Sequence, residues 1–149
     1  MIVISPEDNT PSLGVHVSNP SSLDNPISPG ELSDKVYAKL ESVNPGGSIK
    51  DRPVKWILNH AEENNLIKPG DTIIEATSGN TGIALAMIGA ERDYKIKIVM
   101  PCDMSEERKI LLEMFGAELI EVGEGDFDEA ISLKDEIVEK EGFFTLNQF

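Results

Sequence analysis

The feature that most constrains the fold of this chain is a regular alternation of short apolar segments with longer helical segments. Between the short segments, apolar residues recur at helical spacing over about ten to fifteen residues. Strands that alternate with helices of this length are joined by right-handed crossovers into a mostly parallel sheet. The sequence therefore predicts a three-layer α/β domain. The predicted strands are Thr72 to Ala76, Lys95 to Met100, Glu118 to Val122 and Phe143 to Leu146.

The predicted helices carry suitable residues at their ends. Ser105 is placed to cap the predicted helix that begins at Glu106, and Gly116 lies just past the end of that helix. Asp126 and Glu129 have the spacing of a capping box, which would begin the last predicted helix. The predicted helices are Val54 to Leu66, Thr81 to Glu91, Glu106 to Phe115, and a last one that stops at Gly142.

The N-terminal region differs in composition from the rest of the chain. From Asn19 to Asp34 it is rich in Pro, Ser, Asn and Asp, which are turn and breaker residues. We therefore expect residues 1–35 to form an irregular segment and residues 36–149 to form one α/β domain. This domain would begin with a short strand at Val36 to Leu40.

Charge and composition argue against several classes of function. A formal net charge of −14 disfavours surfaces that bind nucleic acid or anionic membranes, because phosphates would be repelled. No apolar run approaches the ~18 residues of a membrane span, and the N-terminus has no secretory signal pattern. Cys102 is the single cysteine, which leaves no cysteine metal cluster. We expect a cytoplasmic protein that binds no metal, no nucleic acid and no membrane.

Two loops stand where strands end, the edge at which α/β sheets bind ligands. The first is Asn44-Pro45-Gly46-Gly47-Ser48-Ile49-Lys50-Asp51-Arg52. Gly46 and Gly47 allow a tight turn and a close approach to a ligand. Lys50 lies at the mouth of a helix, where the macrodipole favours the neutral amine that reacts with an aldehyde. The alternative is a solvated surface lysine.

The second loop, Thr77-Ser78-Gly79-Asn80-Thr81-Gly82, follows a strand and opens a helix. Its hydroxyls, its glycines and the N–H groups of a helix N-terminus make a cradle for an anion. On these residues alone the guest is either a phosphate or a carboxylate, and the alternative is a capped turn without a ligand. The loop lacks the lysine of a P-loop, which argues against a nucleoside triphosphate.

Together the two loops resemble those of fold-type II pyridoxal-phosphate enzymes. That family includes cysteine synthases (O-acetylserine sulfhydrylases), cystathionine β-synthases and threonine or serine dehydratases. The loop with Lys50 is similar to the family's cofactor-binding segment, and Glu75 to Ala86 is similar to its substrate loop. The pattern is most similar to cysteine synthases of the B type, although Pro69 to Ile74 also resembles cystathionine β-synthase. Further similarity lies at Met100-Pro101, Met104-Ser105, Gly116 to Leu119 and Asn147 to Phe149.

The resemblance implies a role for individual residues. Lys50 would hold the cofactor, pyridoxal 5′-phosphate, and act as the catalytic base, and Asn80 would bind the cofactor's ring hydroxyl. The second loop's guest would then be the carboxylate of a small amino-acid substrate. The residues implied to bind that carboxylate are Thr77, Ser78, Gly79, Thr81 and Gln148.

The implied activity is β-replacement, which forms L-cysteine from O-acetylserine and a sulfur donor. Two alternatives remain: a cystathionine β-synthase-type reaction on serine, and an α/β domain that binds small anions without catalysis. Family members have a second domain with a loop for the cofactor phosphate, and we recognise no such loop in this sequence. We therefore expect an N-terminal half that is inactive alone and belongs to a homodimer when full length.

Overall fold

The computed structural model describes residues 39–148. Within this range, residues 42–148 belong to one compact unit. After a 3-10 turn at Glu41–Val43, helices and strands alternate. Their bounds are α1 Asp51–Glu63, β1 Thr72–Ala76, α2 Asn80–Glu91, β2 Lys95–Pro101, α3 Glu106–Met114, β3 Glu118–Val122 and α4 Phe127–Glu141.

The strands form a parallel sheet in the order β1-β2-β3, which confirms the predicted α/β class. In the register of the sheet, Thr72 lies beside Lys95. On the free side of β1, Phe144 forms a parallel bridge with Ile73, and its carbonyl accepts from the amide of Ile74 at 2.9 Å. The predicted last strand is therefore present as a single bridge.

Helices cover both faces of the sheet, as the three-layer prediction requires. Alternate residues of a strand point to opposite faces, and the core divides in the same way. Ile73 and Ile98 belong to the apolar cluster on the side of α1, α2 and α3. Ile74 and Val99 belong to a second cluster, with Ala130 of α4. Within residues 39–148, no helix is long and apolar enough to cross a membrane.

The helix α2 lies deep in the structure, and two glycines allow it to do so. A Cβ added at Gly89 would lie 2.5 Å from the side chain of Ile96 in β2. A Cβ at Gly82 would lie 3.1 Å from Cγ2 of Thr77. These close approaches leave little room for movement and fix the N-terminus of α2 at the end of β1.

The predicted bounds of α1 were wrong at both ends. The helix begins at Asp51 rather than Val54, so Pro53 lies in the first turn, where a missing N–H is harmless. It ends at Glu63 rather than Leu66, because the backbone of Asn65 turns left-handed with a φ of 56°. The other helices agree with the prediction to within one residue.

The predicted helix caps are confirmed in position, and their hydrogen bonds differ in detail. Ser105 is the N-cap of α3, but its side chain makes no capping hydrogen bond. Oδ1 of Asp126 accepts from the amide of Glu129 at 2.8 Å. The reciprocal bond of a capping box is not made, because Oε2 of Glu129 accepts from the amide of Gly123, also at 2.8 Å.

The predicted N-terminal features lie mostly outside the described residues. This holds for residues 1–35 and for Val36 to Ala38 of the predicted first strand. Lys39 and Leu40, which complete that predicted strand, have no regular secondary structure.

Candidate active site

The topology brings both candidate loops to the carboxyl edge of the sheet. The C-terminal ends of α1 and α2 meet near the start of β2, where Arg92 donates to Oδ1 of Asn59 at 2.8 Å. There Tyr94 also donates to Oε1 of Glu62 at 2.8 Å. Helices of 13 and 12 residues extend about 20 Å from this point. Their N-termini, and therefore both loops, lie at the opposite edge, where β1 and β2 end.

The loop before α1 is closed by its own hydrogen bonds. The amide of Gly47 donates to the carbonyl of Asn44 at 2.7 Å, and the Asn44 side chain donates to the carbonyl of Ser48 at 2.8 Å. Gly47 has a φ of 73°, which glycine adopts without strain. The amide of Gly46 donates to Oδ2 of Asp51 at 2.6 Å. Gly47 thus allows the turn, and Gly46 allows the close contact with Asp51.

Lys50 stands at the junction of this loop with α1. It is the N-cap residue, it is half-buried, and its amide donates to Oγ of Ser48 at 3.1 Å. Its carbonyl accepts from the amide of Val54, and this hydrogen bond belongs to the first turn of α1. The neighbouring Asp51 is 8% exposed, and its Oδ1 has no hydrogen-bond partner among the described residues. The amine of Lys50 therefore projects from a backbone held on both sides.

The second loop leads directly from β1 into α2. Thr77 is 5% exposed, and its amide still belongs to the sheet, donating to the carbonyl of Val99 at 3.1 Å. Its hydroxyl accepts from the amide of Gly79 at 3.4 Å. Ser78 and Gly79 are half-buried, Asn80 is exposed and Thr81 is buried. The first N–H groups of α2 have no acceptor within the helix, which suits an anion.

Gln148 is exposed, and the segment before it is tied to the end of β1. Glu75, only 1% exposed, accepts from the hydroxyl of Thr145 and the amide of Asn147 through Oε2, both at 3.0 Å. Glu75 precedes Thr77 by two residues in the chain. The segment with Gln148 therefore runs beside the strand that leads into the second loop.

The structure thus places all the predicted site residues at one edge of the sheet. Within residues 39–148, no hydrogen bond joins Lys50 to the second loop or the second loop to Gln148. The sequence patterns did not predict a role for two buried carboxylates, Asp51 and Glu75. The available signal was a charged residue in an otherwise apolar, β-branched strand at Glu75.

Comparison with known proteins identifies the family. A family of pyridoxal-phosphate dependent enzymes matches residues 22–149. The chain belongs to this family. It is 47% identical over 122 residues to cysteine synthase B of Pseudomonas aeruginosa, a match that covers 81% of this chain and 41% of that protein. The predicted resemblance and the cofactor class are therefore confirmed.

Two solved structures share the fold. The crystal structure of O-ureido-L-serine synthase has a TM-score of 0.71 at 45% identity, covering 74% of this chain and 35% of that one. That of a hydrogen sulfide-producing enzyme from Fusobacterium nucleatum has a TM-score of 0.71 at 46% identity, covering 74% and 34%. The chain spans less than half the length of these relatives.

The residues at the carboxyl edge fit pyridoxal phosphate in their chemistry. A half-buried primary amine, Lys50, suits an aldehyde, and the exposed amide of Asn80 suits a ring hydroxyl. Both lie at helix N-termini, where partial positive charge favours an anionic ligand.

Proposed function

We propose that this chain is the lysine-bearing part of an enzyme that forms L-cysteine from O-acetylserine and a sulfur donor by β-replacement. The observation that carries the proposal is the shared position of two helix N-termini at one sheet edge, one bearing Lys50 and the other the hydroxyl-rich loop. Among serine-derived substrates, O-acetylserine is favoured by the 47% identity to a cysteine synthase.

Lys50 is proposed to hold the cofactor and to move the proton at the α-carbon of the substrate. When bound, pyridoxal phosphate withdraws electrons from that carbon, so that the proton and then the β-substituent leave. Asn80 is proposed to donate a hydrogen bond to the ring hydroxyl of the cofactor when it is bound.

The second loop is proposed to bind the substrate's carboxylate. Thr77 is buried at the strand end, so water does not compete strongly for its hydroxyl. The N–H groups of the first turn of α2 add donors and the positive end of a dipole. We assign Ser78, Gly79, Thr81 and Gln148 to the same carboxylate.

We further propose that residues 36–149 form the N-terminal domain of a two-domain enzyme. The support is the match to 41% of the length of the cysteine synthase. A second domain would supply the remaining contacts to the cofactor, including those to its phosphate, and would exclude water from the cleft.

The experiment measures cysteine formation from O-acetylserine and sulfide in the presence of pyridoxal phosphate. The chain is assayed alone and in a chimaera in which it replaces the matching part of the P. aeruginosa enzyme. We expect turnover in the chimaera only. It should be lost in Lys50→Ala and retained in the control Lys55→Ala, which removes an exposed lysine of α1. Near-normal turnover by Lys50→Ala would disprove the catalytic assignment.

A further inference from the structure

Glu75 is a carboxylate buried within the sheet. It is 1% exposed, and its neighbours in β1 are Ile73, Ile74 and Ala76. A buried charge is stable only when its oxygens are hydrogen-bonded. Oε2 receives two donors, but Oε1 has none among the described residues. Packing alone does not account for this side chain, because an apolar residue of similar volume would avoid the loss of solvation.

Both donors to Glu75 belong to the segment that follows α4 and carries Gln148. The hydroxyl of Thr145 donates to Oε2 and also accepts from the amide of Asn147 at 3.2 Å. Asn147 has a left-handed backbone with a φ of 54°. The three residues therefore form a closed hydrogen-bonded group around one carboxylate oxygen.

The side chain of Asn147 meets a second buried charge. Its Oδ1 accepts from Nζ of Lys134 at 3.5 Å, and Lys134, on α4, is 2% exposed. Asn147 is thus held through its backbone by a carboxylate in the sheet, and its side chain contacts an ammonium group that is paired with Asp135. The left-handed backbone of Asn147 sets the direction of the chain at Gln148.

We propose that Glu75 is a positioning residue for the substrate-carboxylate site. One end of β1 carries the Thr77–Thr81 loop directly and, through the bonds of Glu75, also holds the segment with Gln148. Glu75 therefore couples the two halves of the site without touching the substrate. The role of Gln148 rests on the proposed function, whereas the ordering of Asn147 by Glu75 does not.

The test follows the backbone of Asn147 by NMR in the 15N-labelled chain. We expect an order parameter near the rigid value of about 0.85 and a slowly exchanging amide in the wild-type chain. Glu75→Ala should lower the order parameter at Asn147 below about 0.6 and leave the order parameters of β2 unchanged. Glu75→Gln should restore order, because its amide oxygen accepts the same two bonds. Glu118→Ala, an exposed strand glutamate paired with Lys97, is the matched control and should change nothing at Asn147.

Two results would overturn the positioning role. One is an order parameter at Asn147 that is the same in folded Glu75→Ala as in the wild-type chain. The other is an Asn147 amide that exchanges at the unprotected rate in the wild-type chain, and this measurement is decisive even if Glu75→Ala does not fold.

Steady-state kinetics of the chimaera, assayed with pyridoxal phosphate, separate positioning from function. We expect Glu75→Ala to raise KM for O-acetylserine roughly ten- to hundredfold, to change kcat less, and to be rescued by Glu75→Gln. If Asn147 loosens while KM is unchanged, the positioning by Glu75 stands and the proposed substrate role of Gln148 fails. If Asn147 stays ordered, the positioning fails whatever the activity.

Discussion

Replacing Gly46 by alanine should destabilise the loop that presents Lys50, and the structure gives the size of the effect. The new Cβ would lie 2.3 Å from Oδ1 of Asp51, so the carboxylate must rotate away. The amide of Gly46 then loses its 2.6 Å hydrogen bond to a charged acceptor, a loss of about 1.5–3 kcal/mol. Asp51→Ala removes the same bond and should destabilise by a similar amount.

A double-mutant cycle distinguishes this contact from general strain. In Gly46→Ala/Asp51→Ala the clash is gone and the bond is lost only once. The double variant should therefore lose about as much stability as either single variant, with a coupling energy of about 1.5–3 kcal/mol. The control is Gly47→Ala, where the added Cβ meets nothing within 4 Å and the loss is backbone strain of about 1–2 kcal/mol. Its effect should add to that of Asp51→Ala.

The assay is urea unfolding of each variant, followed by circular dichroism and by the fluorescence of Trp56, the one tryptophan. Equal slopes of the unfolding curves make the midpoints comparable. Full additivity of Gly46→Ala and Asp51→Ala, within about 0.5 kcal/mol, would refute the reasoning, because independent sites add to this accuracy.

Three further predictions concern other parts of the structure. Burial and the hydrogen bond to Glu62 raise the pKa of Tyr94 to about 12, so the folded state favours the neutral phenol. The resulting stabilisation is present below pH 10 and lost as the pH rises towards 12. Urea unfolding should show a loss of about 1–2 kcal/mol, allowing for solvent screening, that is absent in Tyr94→Phe. Gly89→Ala places a Cβ 2.5 Å from a β2 side chain and should lower stability by about 1–3 kcal/mol, measured by thermal unfolding. In the chimaera with pyridoxal phosphate, Thr77→Ala should weaken amino-acid binding by about 1.5–3 kcal/mol, whereas Asn80→Ala should shift the absorbance of the cofactor. If both variants showed only an equal loss of amino-acid affinity, this division of roles would be wrong.

The strands were predictable because their signal is local. Thr72–Ala76 and Glu118–Val122 have the predicted bounds, since short apolar runs between turn residues leave few other structures. The start of α1 was not predictable in this way. Lys50 is a poor N-cap residue, and the side chain of Asp51 turns back to Gly46 across the loop. Only the folded loop reveals that contact.

The positions of the candidate loops were also predictable, but the groups that hold them were not. Glycine, threonine and asparagine in a short stretch after a strand predict a strand-to-helix turn that is suited to an anion. The bond between Glu75 and Asn147 joins residues 72 positions apart. The hydrophobic periodicity of the sequence does not indicate such a pair. The two residues meet only because the segment after α4 runs parallel to β1.

Two buried carboxylates at the carboxyl edge perform the same task. Asp51 accepts the backbone amide of the loop that carries Lys50, and Glu75 accepts the backbone amide of the segment that carries Gln148. Each has one oxygen without a partner among the described residues, and burying that oxygen costs solvation. A carboxylate accepts from the amide of a distant loop, which an apolar side chain cannot do, and it fixes that loop's backbone more closely than packing would. The unfavourable burial is therefore explained by the ordering of the loops.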